Sequence, residues 1–319
     1  MAHGSDGGGS IRIPASCCGL VGLKVSRGRI TSAPADGERL LGLAVNFVIS
    51  RSVRDTALHL DVLSPPAPGD PFEVPRPAGG YAALAPASAP LRIGVLDGTR
   101  WPTGPKVDPE VAAAARQAGE RLAALGHHVE EAAIDFDPDA YNSVVVGAFS
   151  LSAAATADWL TRVTGRPSDS EHLEPITLAH IAHGRGLSGV DAYGLETRAN
   201  QVRRSLAATL AGYDVVVTPT IAQPPIPLGL AWGMIEGMSA YDFGMDQEWW
   251  LPFTAPFNVT GQPAISLPLG MTAGGLPIGV QFAAGHGRED TLIRLALQLE
   301  EAAPWAGRRP PVHAAATGA

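Results

Sequence analysis

Residues 91–134 constrain the fold of this chain more than any other stretch, because they read as strand, helix and strand in succession. Leu91 to Leu96 is a short apolar run. Asp108 then stands where a helix N-cap belongs, with Pro109 in the first helical position. Val111, Ala115, Ala118, Leu122 and Leu125 recur at spacings of three and four, and Gly126 marks the stop. His128 to Ile134 supplies the second strand. Two strands joined by a helix of this length form the parallel crossover unit, which predicts a right-handed α/β construction.

Further elements agree with that class. Ser52 and Asp55 mark a capped helix start, and Val53, Ala57, Leu60 and Leu63 fall on or near one face. Ser64 to Pro90, rich in proline, reads as a long surface connection. Leu195, Ala199, Val202, Leu206 and Leu210 predict an amphipathic helix that leads through Gly212 into a strand at Asp214 to Thr218. Ala264 to Leu269 and Ile278 to Ala283 read as two strands joined through Gly274 and Gly275. A helix with Glu289 and Asp290 in its first turn follows, and residues 306–319 read as a frayed tail.

Composition narrows the function. The net charge of -8, with no cluster of Lys or Arg, argues against nucleic acid and anionic membrane surfaces as partners. The most apolar stretch, Val144 to Leu160, carries Asp158 and reads as too polar and too short to cross a bilayer. Met1 to Asp6 has neither the basic nor the apolar region of a secretory leader, so a cytoplasmic location is expected. Cys17 and Cys18 are adjacent and are expected to be reduced, buried thiols. No carboxylate or cysteine completes a zinc spacing around His180 and His183, so no metal and no cofactor is expected.

The chemistry sits near the start of the chain. Gly7, Gly8 and Gly9 precede Ser10, and their backbone N–H groups carry no side-chain shield. Such a loop can aim donors at an oxyanion, and Ser10 at its end is placed to attack the carbonyl they hold. Asp6 and Arg12 flank the loop and can brace it by pairing with each other or with backbone groups.

The full string from Gly4 through Gly7-Gly8-Gly9-Ser10-Ile11-Arg12-Ile13-Pro14-Ala15 to Lys24 closely resembles the hallmark of the amidase-signature family. Ser50 to Asp55, Asp214 to Thr220, Phe257 to Ala264 and Gly275 to Gln281 are similar to family passages and come in the family's order. Within the family, the double cysteine and Ser26-Arg27-Gly28-Arg29 look most like hydrolases of the 6-aminohexanoate-cyclic-dimer type. The resemblance implies one amidase domain with a mixed sheet covered by helices on both sides. It divides into a nucleophile segment (1–64), a variable region shaping the substrate pocket (65–212) and a C-terminal core segment (213–305). It implies a small-molecule amide substrate, Ser10 as acyl-enzyme nucleophile, and an oxyanion hole from the N–H groups of Gly7, Gly8, Gly9 and Ser10.

The family activates its serine through a second serine and a buried neutral lysine, both upstream of the hallmark. Only nine residues precede Ser10, so the chain reads as N-terminally shortened and inactive alone. The only lysines are Lys24, inside the hallmark, and Lys106. Strands such as Val215 to Val217 are then expected to lose cover, and His3 is expected to lie in a ragged terminus. A non-catalytic remnant, an amidotransferase-subunit-like protein and a homo-oligomer stay open as alternatives.

Overall fold

The computed structural model describes residues 1–34, 36–98, 101–229, 236–247 and 249–313. In chain order its elements are β1 (Ala2–Asp6), α1 (Arg12–Cys17), β2 (Val21–Lys24), β3 (Val45–Ser50), α2 (Val53–Leu63), β4 (Arg92–Val95), α3 (Pro109–Ala124) and β5 (His128–Glu131). They continue with α4 (Pro138–Thr164), α5 (Pro175–Gly186), α6 (Gly189–Leu210), β6 (Val215–Pro219), α7 (Ala240–Gln247), α8 (Pro256–Thr260), β7 (Ala264–Met271), β8 (Pro277–Ala284) and α9 (Glu289–Ala302). Among the described residues the strands form one eight-stranded sheet in the order β1-β3-β2-β7-β8-β6-β4-β5. From β1 to β6 neighbours run antiparallel, and β6, β4 and β5 run parallel.

The sheet is covered on both faces, and the alternation of strand side chains divides the core in two. Val215, Val217, Val280 and Phe282 pack on one side with residues of α2, α3 and α9. Val216, Ala264 and Ala283 face the other side, against α4, α6 and α8. Ser52 accepts a hydrogen bond from the Asp55 N–H, and Asp108 from the Glu110 N–H, so both expected caps form. The 64–90 connection is tied down by Tyr81, which is buried in the first core.

Four expectations need correction. β6 is interior to the sheet and every one of its residues is buried, because β8 and β4 flank it and both cores cover it. His3 is not ragged: it pairs with Val48 where β1 forms the sheet edge. Cys18 is exposed and Cys17 only half-buried, since α1 is short and turns them outward; burial still pushes the Cys17 thiol up to about 11. The apolar run at 144–160 belongs to a 27-residue helix that is long and apolar enough, by length and composition, to cross a bilayer. Here α4 packs against α5, α6 and α7. Of the expected tail, Arg308 donates to the Pro268 carbonyl, whereas 314–319 lie outside the described residues.

Candidate active site

The glycine loop bridges β1 and α1. Asp6 ends the edge strand, Gly7 to Ser10 turn the chain, and Arg12 opens the helix. Gly9 adopts φ +138°, a backbone conformation that L side chains rarely take, and a Cβ there would lie 2.4 Å from both Ile13 Cδ1 and Thr254 Oγ1. Thr254 Oγ1 donates to the Gly8 carbonyl at 2.6 Å, which fixes the plane of the following peptide. Among the described residues, no protein acceptor takes the backbone N–H of Gly7, Gly8, Gly9 or Ser10. These successive donors are left available to an oxygen atom of a bound molecule. Ser10 is exposed at the end of this series.

Behind the loop lies a fully buried polar cluster. The Arg12 guanidinium meets Asp6 through Nε and Nη2, at 3.0 and 2.8 Å. Its Nη1 donates to the Thr254 carbonyl and Gln281 Oε1, both at 2.7 Å, and Nη2 also reaches Asn258 Oδ1 at 2.6 Å. Asn258 Nδ2 returns bonds to the Asp6 carboxylate and carbonyl and to the Leu43 carbonyl. Gln281 Nε2 donates to Thr218 Oγ1 and the Phe253 carbonyl. Burial pushes the Asp6 carboxyl up, but Arg12 outweighs it by charge and hydrogen bonding, helped by Lys24 and Asn258. The net result holds Asp6 below the usual carboxylate range.

The sequence-derived residues therefore converge: Asp6 and Arg12 pair, and Gly7, Gly8, Gly9 and Ser10 form one continuous loop above them. Thr254, Asn258 and Gln281 were not singled out from sequence, although Asn258 and Gln281 lie in the family-like passages that end the chain. Leu40 and Phe149 were also missed. A Cβ at Gly7 would lie 2.6 Å from Leu40 Cδ1 and 3.5 Å from Phe149 Cζ. Leu40 approaches from a 3-10 turn, Arg39–Gly42, where Leu40 and Leu41 both hold φ 51°, a costly value for residues with branched side chains. Leu40 and Phe149 also line a cavity of about 510 Å³ that opens beside the loop.

No base is hydrogen-bonded to the Ser10 hydroxyl among the described residues. Lys24 is buried and donates from Nζ to the Val25 carbonyl at 3.0 Å. Burial, then the Arg12 charge, push its ammonium well below the usual lysine range, and Asp6 pulls the other way. His180 Nδ1 bonds Ser150 Oγ at 2.9 Å on α5 and α4, and His127 bridges the Leu91 N–H and Gln298. Both histidines are thus engaged in joining elements of the fold. Among the described residues, no three His, Cys, Asp or Glu side chains converge as a metal site.

A profile of the Amidase family matches residues 1–293. A 6-aminohexanoate-cyclic-dimer hydrolase of Paenarthrobacter ureafaciens is 42% identical over 97% of this chain and 64% of its own length. A putative amidase, AmiC, of Mycobacterium leprae is 38% identical over 96% of this chain and 63% of its own. Among solved structures, one of 6-aminohexanoate cyclic dimer hydrolase superposes with TM-score 0.84 and 37% identity, over 97% of this chain and 66% of that one. The chain spans slightly under two-thirds of the length of these relatives.

Proposed function

The chain belongs to the amidase-signature family, and on that premise we propose that it carries the acyl-transfer half of an amide hydrolase, with Ser10 as the nucleophile. The observation that carries this reading is the row of four unpartnered amides ending at an exposed serine hydroxyl. Ser10 Oγ adds to the amide carbonyl, and the N–H groups of Gly7, Gly8, Gly9 and Ser10 receive the oxyanion. Collapse breaks the C–N bond, and the proton lost by Ser10 Oγ reaches the leaving nitrogen through water so that it departs as the amine. Water then hydrolyses the ester on Ser10 to the acid and the free hydroxyl. Asp6 and Arg12 touch no substrate atom; they hold the loop in place from behind. The substrate is a small-molecule amide, and the steps need no cofactor.

A serine hydroxyl is a weak nucleophile without a base, and Ser10 is hydrogen-bonded to none among the described residues. We therefore infer that these 319 residues alone turn over amides poorly, by several orders of magnitude relative to an enzyme with its relay. Activated esters place less demand on the base, which provides the test. Incubation with p-nitrophenyl acetate should deposit an acetyl group on Ser10, located by peptide mass spectrometry, and Ser10→Ala should abolish it. An unchanged adduct in Ser10→Ala, or acylation confined to another residue, would sink the assignment. A non-catalytic remnant of the same fold predicts no adduct in either protein.

A further inference from the structure

The cavity beside the glycine loop is a groove between α4 and α5, and its far end carries a charge that the chemistry at Ser10 does not use. From α4 it takes Phe149, Ala153, Thr156, Leu160 and Thr164, residues three or four apart on a single helical face. Thr164 lies fifteen positions beyond Phe149, so this wall runs about 22 Å along the helix. Leu173, Thr177 and Ile181 form the facing wall. At the loop end the helices are held close: a Cβ at Gly184 would lie 2.1 Å from the Ser150 carbonyl, and Ser150 Oγ bonds His180 Nδ1. The groove is long, mostly apolar and of ligand size.

Two ionisable residues line it, Arg166 and His172, both at the end remote from Gly7. His172 Nδ1 is already bonded to Asp169 at 2.8 Å. The Arg166 guanidinium has no ion pair among the described residues. Nearby, Arg185 and Asp158 satisfy each other at 2.7 Å and do not line the groove. An extended chain with its amide at Ser10 would therefore run along apolar walls and finish beside an uncompensated cation.

We propose that the α4–α5 groove holds an extended aliphatic chain of the substrate amide and that Arg166 selects chains ending in a carboxylate. This specificity rests on the amidase reading of Ser10. Because Arg166 is exposed, its contribution is modest, on the order of a three- to tenfold preference for the acid over a neutral analogue.

Calorimetric titration of this chain with hexadecanedioic acid monoamide, long enough to follow the α4 wall from the loop end to Arg166, and with its methyl ester reads the preference directly. The acid should bind about three- to tenfold more tightly, and Arg166→Gln should erase that gap while leaving the ester unchanged. Ala153→Phe, which fills the groove midway, should weaken both long ligands and leave succinic acid monoamide, too short to reach Arg166, unaffected. Equal binding of acid and ester, absence of binding by both, or an Arg166→Gln effect as large on the short acid as on the long one would each overturn the proposal. Acetylation of Ser10 by p-nitrophenyl acetate should stay normal in Arg166→Gln. Loss of acetylation in the unaltered chain with selective binding intact would instead condemn the nucleophile assignment and leave the groove standing.

Discussion

Among the described residues two arginine–carboxylate pairs lie fully buried, Arg12 with Asp6 and Arg29 with Glu289, and each closes at 2.8 Å. Their chemistry is the same and their surroundings differ. Every guanidinium nitrogen of Arg12 has a partner, and one of those partners, Thr254, is joined by one further bond to the glycine loop. Arg29 instead ties backbone carbonyls of Val74, Pro75 and Gly287 and lies over the Tyr81 ring, while its Nε is buried without a partner. Glu289 completes that cluster by accepting from the Ser26 N–H. One pair braces the glycine turn and the other fastens a long connection to the sheet. A buried ion pair is thus defined less by its own bond than by what its remaining donors grip.

The sharpest way to break the comparison is to remove one partner from each pair. Arg12→Met leaves Asp6 buried and uncompensated, with an expected loss of about 3–5 kcal/mol in stability. Acylation of Ser10, scored per folded molecule, should also fall by about a hundredfold or more as the loop relaxes. Glu289→Gln keeps the shape and part of the hydrogen bonding, so a smaller loss of about 2–3 kcal/mol is expected by denaturant titration. Its acylation rate per folded molecule should stay within about twofold of the parent, and proteolysis of the 64–90 connection should accelerate. Equal kinetic damage from both variants would show that the division between the pairs is wrong.

The loop itself supplies a finer contrast. Gly9→Ala forces a Cβ into Ile13 and Thr254 at φ +138°, and should cost about 1–3 kcal/mol. At Gly8 the nearest atom a Cβ would meet is Phe149 Cζ at 3.8 Å, so Gly8→Ala should fold with a change of under about 1 kcal/mol. Any acylation defect in Gly8→Ala then reports on the oxyanion position rather than on folding. Normal acylation in Gly9→Ala would show that the loop conformation is irrelevant to chemistry.

Acidification should give the smallest effect. Burial pushes the Glu289 carboxyl up, but Arg29 and Ser26 outweigh it, so Glu289, like Asp6, is held below its ordinary value. A depressed folded value favours the folded state above the unfolded values, ordinarily 3.8 for Asp and 4.5 for Glu, and that contribution fades as pH falls through the folded ones. Stability should therefore decline below about pH 4, and Asp6→Asn combined with Glu289→Gln should flatten that decline. An unchanged acid limb in the double variant would mean that other carboxylates carry it.

Much of this comparison was legible in the sequence. Capping residues and regular spacing located α2, α3, α6 and α9, and the apolar runs located β4 to β8, because those signals act over a few residues. Asp6 and Arg12, six positions apart around a turn, could be paired by inspection. The missing half of the network could not: Thr254, Asn258 and Gln281 reach Arg12 across more than 240 positions, and no local pattern encodes that meeting. β1 escaped notice because Gly4, Ser5 and Asp6 are poor strand formers held by pairing with β3. The long α4 was read only as an apolar run. Its apolar residues lie on more than one face, with Phe149, Trp159, Leu160 and Val163 exposed, which weakens the one-sided period that reveals a surface helix.

Those long separations also set an order of events during synthesis. Arg12 and Arg29 leave the ribosome more than two hundred residues ahead of Asn258, Gln281 and Glu289. Until then two guanidinium groups that will end fully buried must wait in water, and the turn bearing Ser10 has nothing to brace it. Contacts of such range close late and slowly. The proposed nucleophile therefore acquires its geometry only once the chain through Gln281 has been made, so a nascent chain that stops short of it holds Ser10 without its bracing.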